Sequence, residues 1–248
     1  MSKVIVITGA GVGLGRALAR RFAGDGDTVI LLGRTLSKVQ EVADELGDPH
    51  FAVECDVGSA DSVRAAFAAI KQRHAKIDVL INNAAYYKPM KVRDFTDDLI
   101  EEMVRSNFIG PIYTCREALG MMDRGAQIIN VSSESVKEPF AMLSLYQSTK
   151  MGMERFTEAL VDEVKGDGIR VCLVRAGPML DGGGMTSSSS SWEQETAIKF
   201  FEENMKIGRN LAEDPLTECA HVTDVFRTLL DLKPDFRVTH VNIGARHP

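Results

Sequence analysis

Much of what would assign this chain to a common functional class is missing. Its four cysteines, Cys55, Cys115, Cys172 and Cys219, lie far apart and form no C-x-x-C pair. That leaves no disulfide framework and no metal-ligand spacing. Two of them fall in apolar strand-like segments, where a thiol is a small buried hydrophobe. The five histidines are equally scattered. No basic tail appears, and the net charge of −6 has the wrong sign for a nucleic-acid surface. No apolar stretch approaches the length of a membrane span. The apolar start at 4–7 is too short for a signal-peptide core. No G-x-S-x-G elbow occurs, which sets aside a serine hydrolase. The expectation is a reduced, cytoplasmic, metal-free protein that binds neither nucleic acid nor membrane.

What is present is a rhythm. Short β-branched apolar runs at 3–7, 28–32, 51–54, 79–81, 127–131, 170–174 and 241–243 alternate with amphipathic stretches at 14–23, 36–46, 60–73, 97–122 and 148–165. Strands apolar on successive residues suit a parallel sheet covered on both faces. The alternation predicts an α/β fold, a doubly wound parallel sheet of about seven strands with helices on both faces. No linker or break in composition divides the 248 residues, so one Rossmann-like domain is expected. The glycine–serine segment 181–191, followed by an aromatic stretch at 192–205, interrupts the rhythm. It is read as a substrate lid over about 179–210.

The first strand runs into Thr8-Gly-Ala-Gly-Val-Gly-Leu-Gly15. Glycines there allow a tight turn and close approach of backbone to phosphate, and a helix starting near Leu14 offers free amides and a positive dipole end. Strand before and helix after is the setting in which such a loop binds a dinucleotide. Gly9, Gly13, Leu14 and Gly15 are therefore candidate cofactor residues. After the second strand the chain reads Gly33-Arg34-Thr35, with no carboxylate for the ribose hydroxyls of NAD. Arg34 can pair with a 2′-phosphate, which favours NADP(H) and leaves NAD(H) as the alternative. Asp56, in Cys55-Asp56-Val57, can accept from an adenine amine or cap a helix, a role open to Ser59 as well.

Lys150 follows Tyr146 by four residues, so on a helix the two share a face. An ammonium about 5 Å from a phenol, at an effective dielectric of about 20, favours the tyrosinate by roughly 3 kcal/mol. That predicts a Tyr146 pKa about two units below the ordinary value.

These motifs, in this order and over nearly the full length, resemble the short-chain dehydrogenase/reductase family, in its single-domain subgroup of about 250 residues. Thr8-Gly9-x-x-x-Gly13-x-Gly15 matches the family's cofactor loop, and Asp56 with Val57 its adenine contact. Asn82-Asn83-Ala84 resembles N-N-A-G, and places Asn83 and Ala84 beside the cofactor. Asn107 matches the helix asparagine near a proton-relay water. Asn130-Val-Ser-Ser133 matches the catalytic serine segment, and the family's interval of thirteen residues to the tyrosine selects Ser133 over Ser132. The resemblance implies that Ser133 and Tyr146 hold the substrate oxygen and that Tyr146 is general acid or base. It also implies that Lys150 lowers the Tyr146 pKa and binds the nicotinamide ribose, that Gly177 lies near the nicotinamide, and that the chain forms a homo-oligomer, a tetramer or a dimer, through its long helices.

Several positions depart from the family pattern. Ala85 replaces the last glycine of N-N-A-G, Val12 stands where NADP-preferring members often carry a cation, and Ala176-Gly177-Pro178 replaces Pro-Gly. Asp181 stands where a threonine is common, four residues after Gly177. The expected activity is hydride transfer between NADP(H) and a medium-sized, mainly apolar carbonyl compound or its alcohol. An NAD-dependent alcohol dehydrogenase of the same family and a non-catalytic dinucleotide sensor are the alternatives.

Overall fold

Parallel strands covered on both faces dominate the architecture. The computed structural model describes residues 2–182, 184–185, 192–233 and 235–245. Its first half comprises β1 (Val4–Thr8), α1 (Gly13–Gly24), β2 (Thr28–Gly33), α2 (Leu36–Leu46), β3 (Phe51–Glu54), α3 (Ala60–Arg73) and β4 (Val79–Asn82). Then come α4 (Asp97–Val104), α5 (Gly110–Leu119), β5 (Gln127–Ser133), α6 (Ser144–Val164) and β6 (Arg170–Ala176). The C-terminal part holds β7 (Met179–Asp181), β8 (Gly184–Met185), α7 (Gln194–Lys206), β9 (Thr217–Glu218), α8 (Cys219–Leu230) and β10 (His240–Ile243).

Seven strands form one parallel sheet in the order β10-β6-β5-β4-β1-β2-β3, and β8-β7-β9 form a small separate sheet. The crossover direction reverses between β1 and β4, and a crevice opens at the carboxyl ends of such strands. One core lies between the sheet and α1, α2 and α8, around Phe22, Leu31 and Phe226. The other lies under α3, α5 and α6, around Phe67, Ile70 and Leu160. All four cysteines are buried and unpaired, and burial pushes each thiol up to about 12.

The seven expected strands all form, with ends shifted by a few residues. The stretch 97–122, expected as one helix, is instead divided. A π-helical turn, Arg105–Ile109, separates α4 from α5, whose first turn contains Pro111. Proline has no N–H to continue the ladder, and π turns often aim a side chain inward at a functional site. Here the inward residue is Asn107, fully buried. Helix α6 starts at Ser144, a turn before the expected position, so Tyr146 already lies within it. Of the segment read as a lid, residues 183 and 186–191 lie outside the described residues. The helix beyond is docked, because Asn204 Oδ1 accepts from the Ala141 amide at 3.0 Å. Among the described residues no helix is long and apolar enough to cross a membrane.

Packing around Gly15 gives the fold's most specific test. A Cβ there would lie 2.3 Å from the Gly9 carbonyl oxygen and 2.6 Å from Asn83 Nδ2. Gly15→Ala should therefore destabilise by about 1–3 kcal/mol, the usual range for overpacking, and lower the melting temperature. An unchanged melting curve would show that the loop yields without cost.

Candidate active site

Thr8 ties the crevice together. Its Oγ1 accepts from the Asn83 and Ala84 amides, each at 3.0 Å, while Asn83 Nδ2 donates back to the Thr8 and Gly9 carbonyls. The β1 and β4 ends are thereby fixed at the reversal point. Gly9 has φ +67°, and a Cβ on it would sit 2.9 Å from Ala84 Cα, so the turn needs glycine twice over. The resulting cleft, ≈ 320 Å³, is lined by Gly9, Gly13, Leu14, Arg34, Asp56, Val57, Asn83 and Ala84 among others. Those expected residues are thus brought together. Gly15 lies beneath the loop. Gly177 stands outside the cleft lining, at the end of β6, where its amide donates to the Ile243 carbonyl at 2.8 Å.

The end of the cleft that holds Arg34 carries a feature that sequence reasoning missed. Arg34 Nη1 donates to Glu102 Oε1 at 2.5 Å, so the cation expected to meet a 2′-phosphate already has a carboxylate. Glu102 comes from α4, 68 residues on, and nothing local in the sequence announces the pairing. Lys38 joins the cleft wall from α2 as a second cation. Asp56 lines the cleft while Oδ1 accepts from the Gly58 amide at 2.9 Å. The cap of α3 is Ser59, whose side chain accepts from the Ser62 amide.

Outside the cleft lining, where Asn107 also stands, β5 and α6 bring Ser133, Tyr146 and Lys150 together. Lys150 is buried and donates from Nζ to the Val131 carbonyl at 2.8 Å. Its Nζ is 5.9 Å from the centre of the Tyr146 ring. The two serines separate cleanly. Ser132 Oγ is buried and donates to Glu154 Oε1 at 2.6 Å, whereas Ser133 is half-buried and faces Tyr146. Ser133 Oγ also caps the turn after β5, accepting from the Ser135 amide and donating to the Ser135 hydroxyl at 2.9 Å.

The Tyr146 phenol is not depressed as the sequence spacing predicts. Burial pushes it above its ordinary value, the neighbouring Tyr87 adds to that, and a hydrogen bond with Ser133 offsets it only in part. The same burial brings Lys150 down to about 8, against a rise due to Glu154. Desolvation is the largest effect on both groups, and Lys150 Nζ spends a hydrogen bond on the β5 backbone.

Two networks position this group. Glu154, one turn beyond Lys150 and almost fully buried, takes both Nε and Nη2 of Arg175, at 2.8 and 2.5 Å. With Ser132 it locks α6 to β5 and β6. Asn107 donates to the Tyr86 carbonyl at 2.7 Å and to Thr149 Oγ1 at 3.2 Å, and accepts from the Tyr86 amide at 2.8 Å. It ties the loop after β4 to α6 beside Tyr146. Over the phenol lies a chain of rings. Tyr87 is 5.0 Å from Tyr146, Trp192 5.0 Å from Tyr87, and Phe200 5.6 Å from Trp192.

Lys150 makes stability depend on pH in a definite direction. Below about 8 folded and unfolded chains both hold its proton, and the fold bears the full cost of a buried ammonium. Between about 8 and 10.5 only the unfolded chain holds it, so the Lys150 contribution rises with pH. Removing the group removes that rise. The melting temperature of Lys150→Met, less that of wild type, should therefore fall as pH goes from about 7 to about 10. A constant difference would mean that Lys150 titrates near its ordinary value.

The short chain dehydrogenase family model matches residues 3–194. An uncharacterized short-chain type dehydrogenase/reductase of Sinorhizobium fredii is 35% identical over 178 residues, 71% of this chain and 32% of that protein. The 3-oxoacyl acyl-carrier-protein reductase of Mus musculus is 32% identical over 211 residues, 84% of this chain and 85% of that one. The alcohol dehydrogenase of Thermococcus sibiricus, solved with 5-hydroxy-NADP, shares the fold at a TM-score of 0.82 and 23% identity, covering 100% of this chain and 99% of its own. A family match over most of the chain, on a sheet whose reversal point carries the glycine loop, shows that the chain belongs to the short chain dehydrogenase family, and with it to the dinucleotide-dependent oxidoreductases.

Proposed function

We propose that the protein transfers hydride between NADP(H) and a carbonyl compound or secondary alcohol, with Tyr146 as general acid or base. The observation that carries this is the meeting of Ser133 on β5 with Tyr146 and the buried Lys150 on α6, against the same sheet whose reversal point carries the glycine-lined cleft. The cleft fits a dinucleotide through the helix N-terminus at Gly13 and Leu14, which line it. Gly9 and Gly15 pack the loop so tightly on Asn83 and Ala84 that a Cβ on either would clash. The bound nicotinamide would supply or take the hydride.

The remaining chemistry belongs to the chain. Burial keeps the Tyr146 phenol protonated at neutral pH, ready to protonate an oxygen that gains charge. Ser133 can turn its hydroxyl proton from Ser135 to that same oxygen and steady it. Lys150 spends one N–H on Val131, leaving two for the ribose and for recharging the phenol. Asn107 keeps a second lone pair on Oδ1 for a relay water. The rings of Tyr87, Trp192 and Phe200 fit a mainly apolar substrate of medium size.

NADP(H) is the favoured cofactor because Arg34 and Lys38 both line the adenosine end. The Thermococcus sibiricus structure, solved with 5-hydroxy-NADP, is in keeping with that. Glu102 moderates the preference by holding Arg34, which gives NAD(H) a specific basis as the alternative. We read residues 1–248 as one domain and the protein as a cytoplasmic homo-oligomer. Ile100 on α4 and Met151 on α6, left exposed, support an interface there.

Two experiments test this reading. Tyr146→Phe should lower kcat by about 10²–10⁴ while NADPH affinity stays within a few fold; retained turnover would remove the proposed acid. Arg34→Asp should shift the NADPH-to-NADH affinity ratio toward NADH by about tenfold. Glu102→Gln should move the ratio the other way by a few fold, as for an exposed pair. Ratios that do not respond would leave Arg34 a surface cation.

A further inference from the structure

Helix α1 lacks its own anion. Its N-cap, Val12, has no side chain able to cap, and its first turn contains no acidic residue. The carboxylate arrives from β7 instead. Asp181, 168 residues along the chain, accepts through Oδ2 from the Gly13 amide at 2.8 Å, and also from Arg16 Nη2 at 2.6 Å. Gly13 is the loop residue at which the helix begins, and it lines the cleft. A negative group there gains from the free amide and from the helix dipole, as a phosphate would.

We propose that Asp181 is an internal competitor of the dinucleotide's pyrophosphate and so sets cofactor affinity, an inference that rests on the dinucleotide reading of the cleft. One amide hydrogen and one guanidinium edge serve a single anion well, and two anions poorly. The contact is built to be displaced. A single oxygen of Asp181 takes both donors, and Arg16 Nε is buried with no hydrogen-bond partner among the described residues. A bidentate carboxylate would satisfy it, and so would a group with more acceptor oxygens. The β7 backbone is held independently, through Met179 and Leu180 paired with Thr217 and Glu218 of β9. The Asp181 side chain can therefore leave by rotation, while the strand stays in place.

Asp181 and Arg34 then divide cofactor binding between them. The pyrophosphate is common to NADPH, NADH and ADP, so Asp181 acts on all three alike. Arg34 distinguishes the first two. The test is to titrate NADPH and NADH by nicotinamide fluorescence, with ADP as competitor, on wild type, Asp181→Asn and Asp181→Ala. Circular dichroism and melting curves confirm that the variants are folded, and the two side chains give independent routes to a folded protein.

Both variants should bind all three ligands more tightly, by about five- to tenfold, with the NADPH-to-NADH ratio unchanged. Affinities that stay the same or weaken would overturn the role of Asp181, as would tightening confined to one dinucleotide. Failure of wild type and variants alike to bind any of the three would instead overturn the dinucleotide reading itself.

Discussion

The hydroxyl of Thr8, accepting from two successive amides of the neighbouring segment, is the contact on which the site depends. A parallel sheet covered on both faces offers a ligand no entrance except where its crossovers change direction. At that point β1 and β4 diverge, and their loops would drift apart without a tie. Thr8 and Asn83 supply it at a cost of two small side chains. Everything downstream, from the position of the glycine loop to the path of residues 84–87 toward Asn107 and Tyr146, follows from that junction.

A second constraint is the burial of charge. Lys150 and Glu154, one and two turns beyond Tyr146 on α6, and Arg175 on β6 place two cations and one anion between helix and sheet. Buried charges demand partners, and each has one or more here. Their geometry fixes the rotation of α6 about its axis. Tyr146 and Ser133 consequently face each other without relying on either side chain to find its own place.

The fold was legible because it is written locally. Apolar runs of three to five residues, glycines after the first strand and the Tyr146–Lys150 interval all act within a few residues of themselves. The sequence pointed to Ser133 only through its thirteen-residue interval to Tyr146; the structure turns Ser132 to Glu154 and Ser133 to Tyr146. What escaped sequence reading is long-range or a matter of degree. The pairings of Arg34 with Glu102 and of Gly13 with Asp181 join distant segments, and no spacing rule reports them. The break of 97–122 at a π turn carried a faint signal in Gly110-Pro111. The direction of the Tyr146 shift could not be read from spacing, because it depends on how much water the fold removes. The asparagines Asn82 and Asn130, directly paired across β4 and β5 and hydrogen-bonded at 2.8 Å, were also missed as a buried ladder. Two amides at matching places in apolar strands are the signal that would have found them.

The chain contains a single tryptophan, and its position makes it an optical reporter. Trp192 meets Tyr87 edge-on, Tyr87 packs on Tyr146, and the indole N–H points to the Tyr87 carbonyl at 3.4 Å. With no second indole to dilute the signal, emission from this molecule reads the polarity of one place, the aromatic wall above the phenol. A reduced nicotinamide nearby would accept that emission by energy transfer. Arrival of the dinucleotide and of the substrate would thus be separately visible in the unlabelled protein.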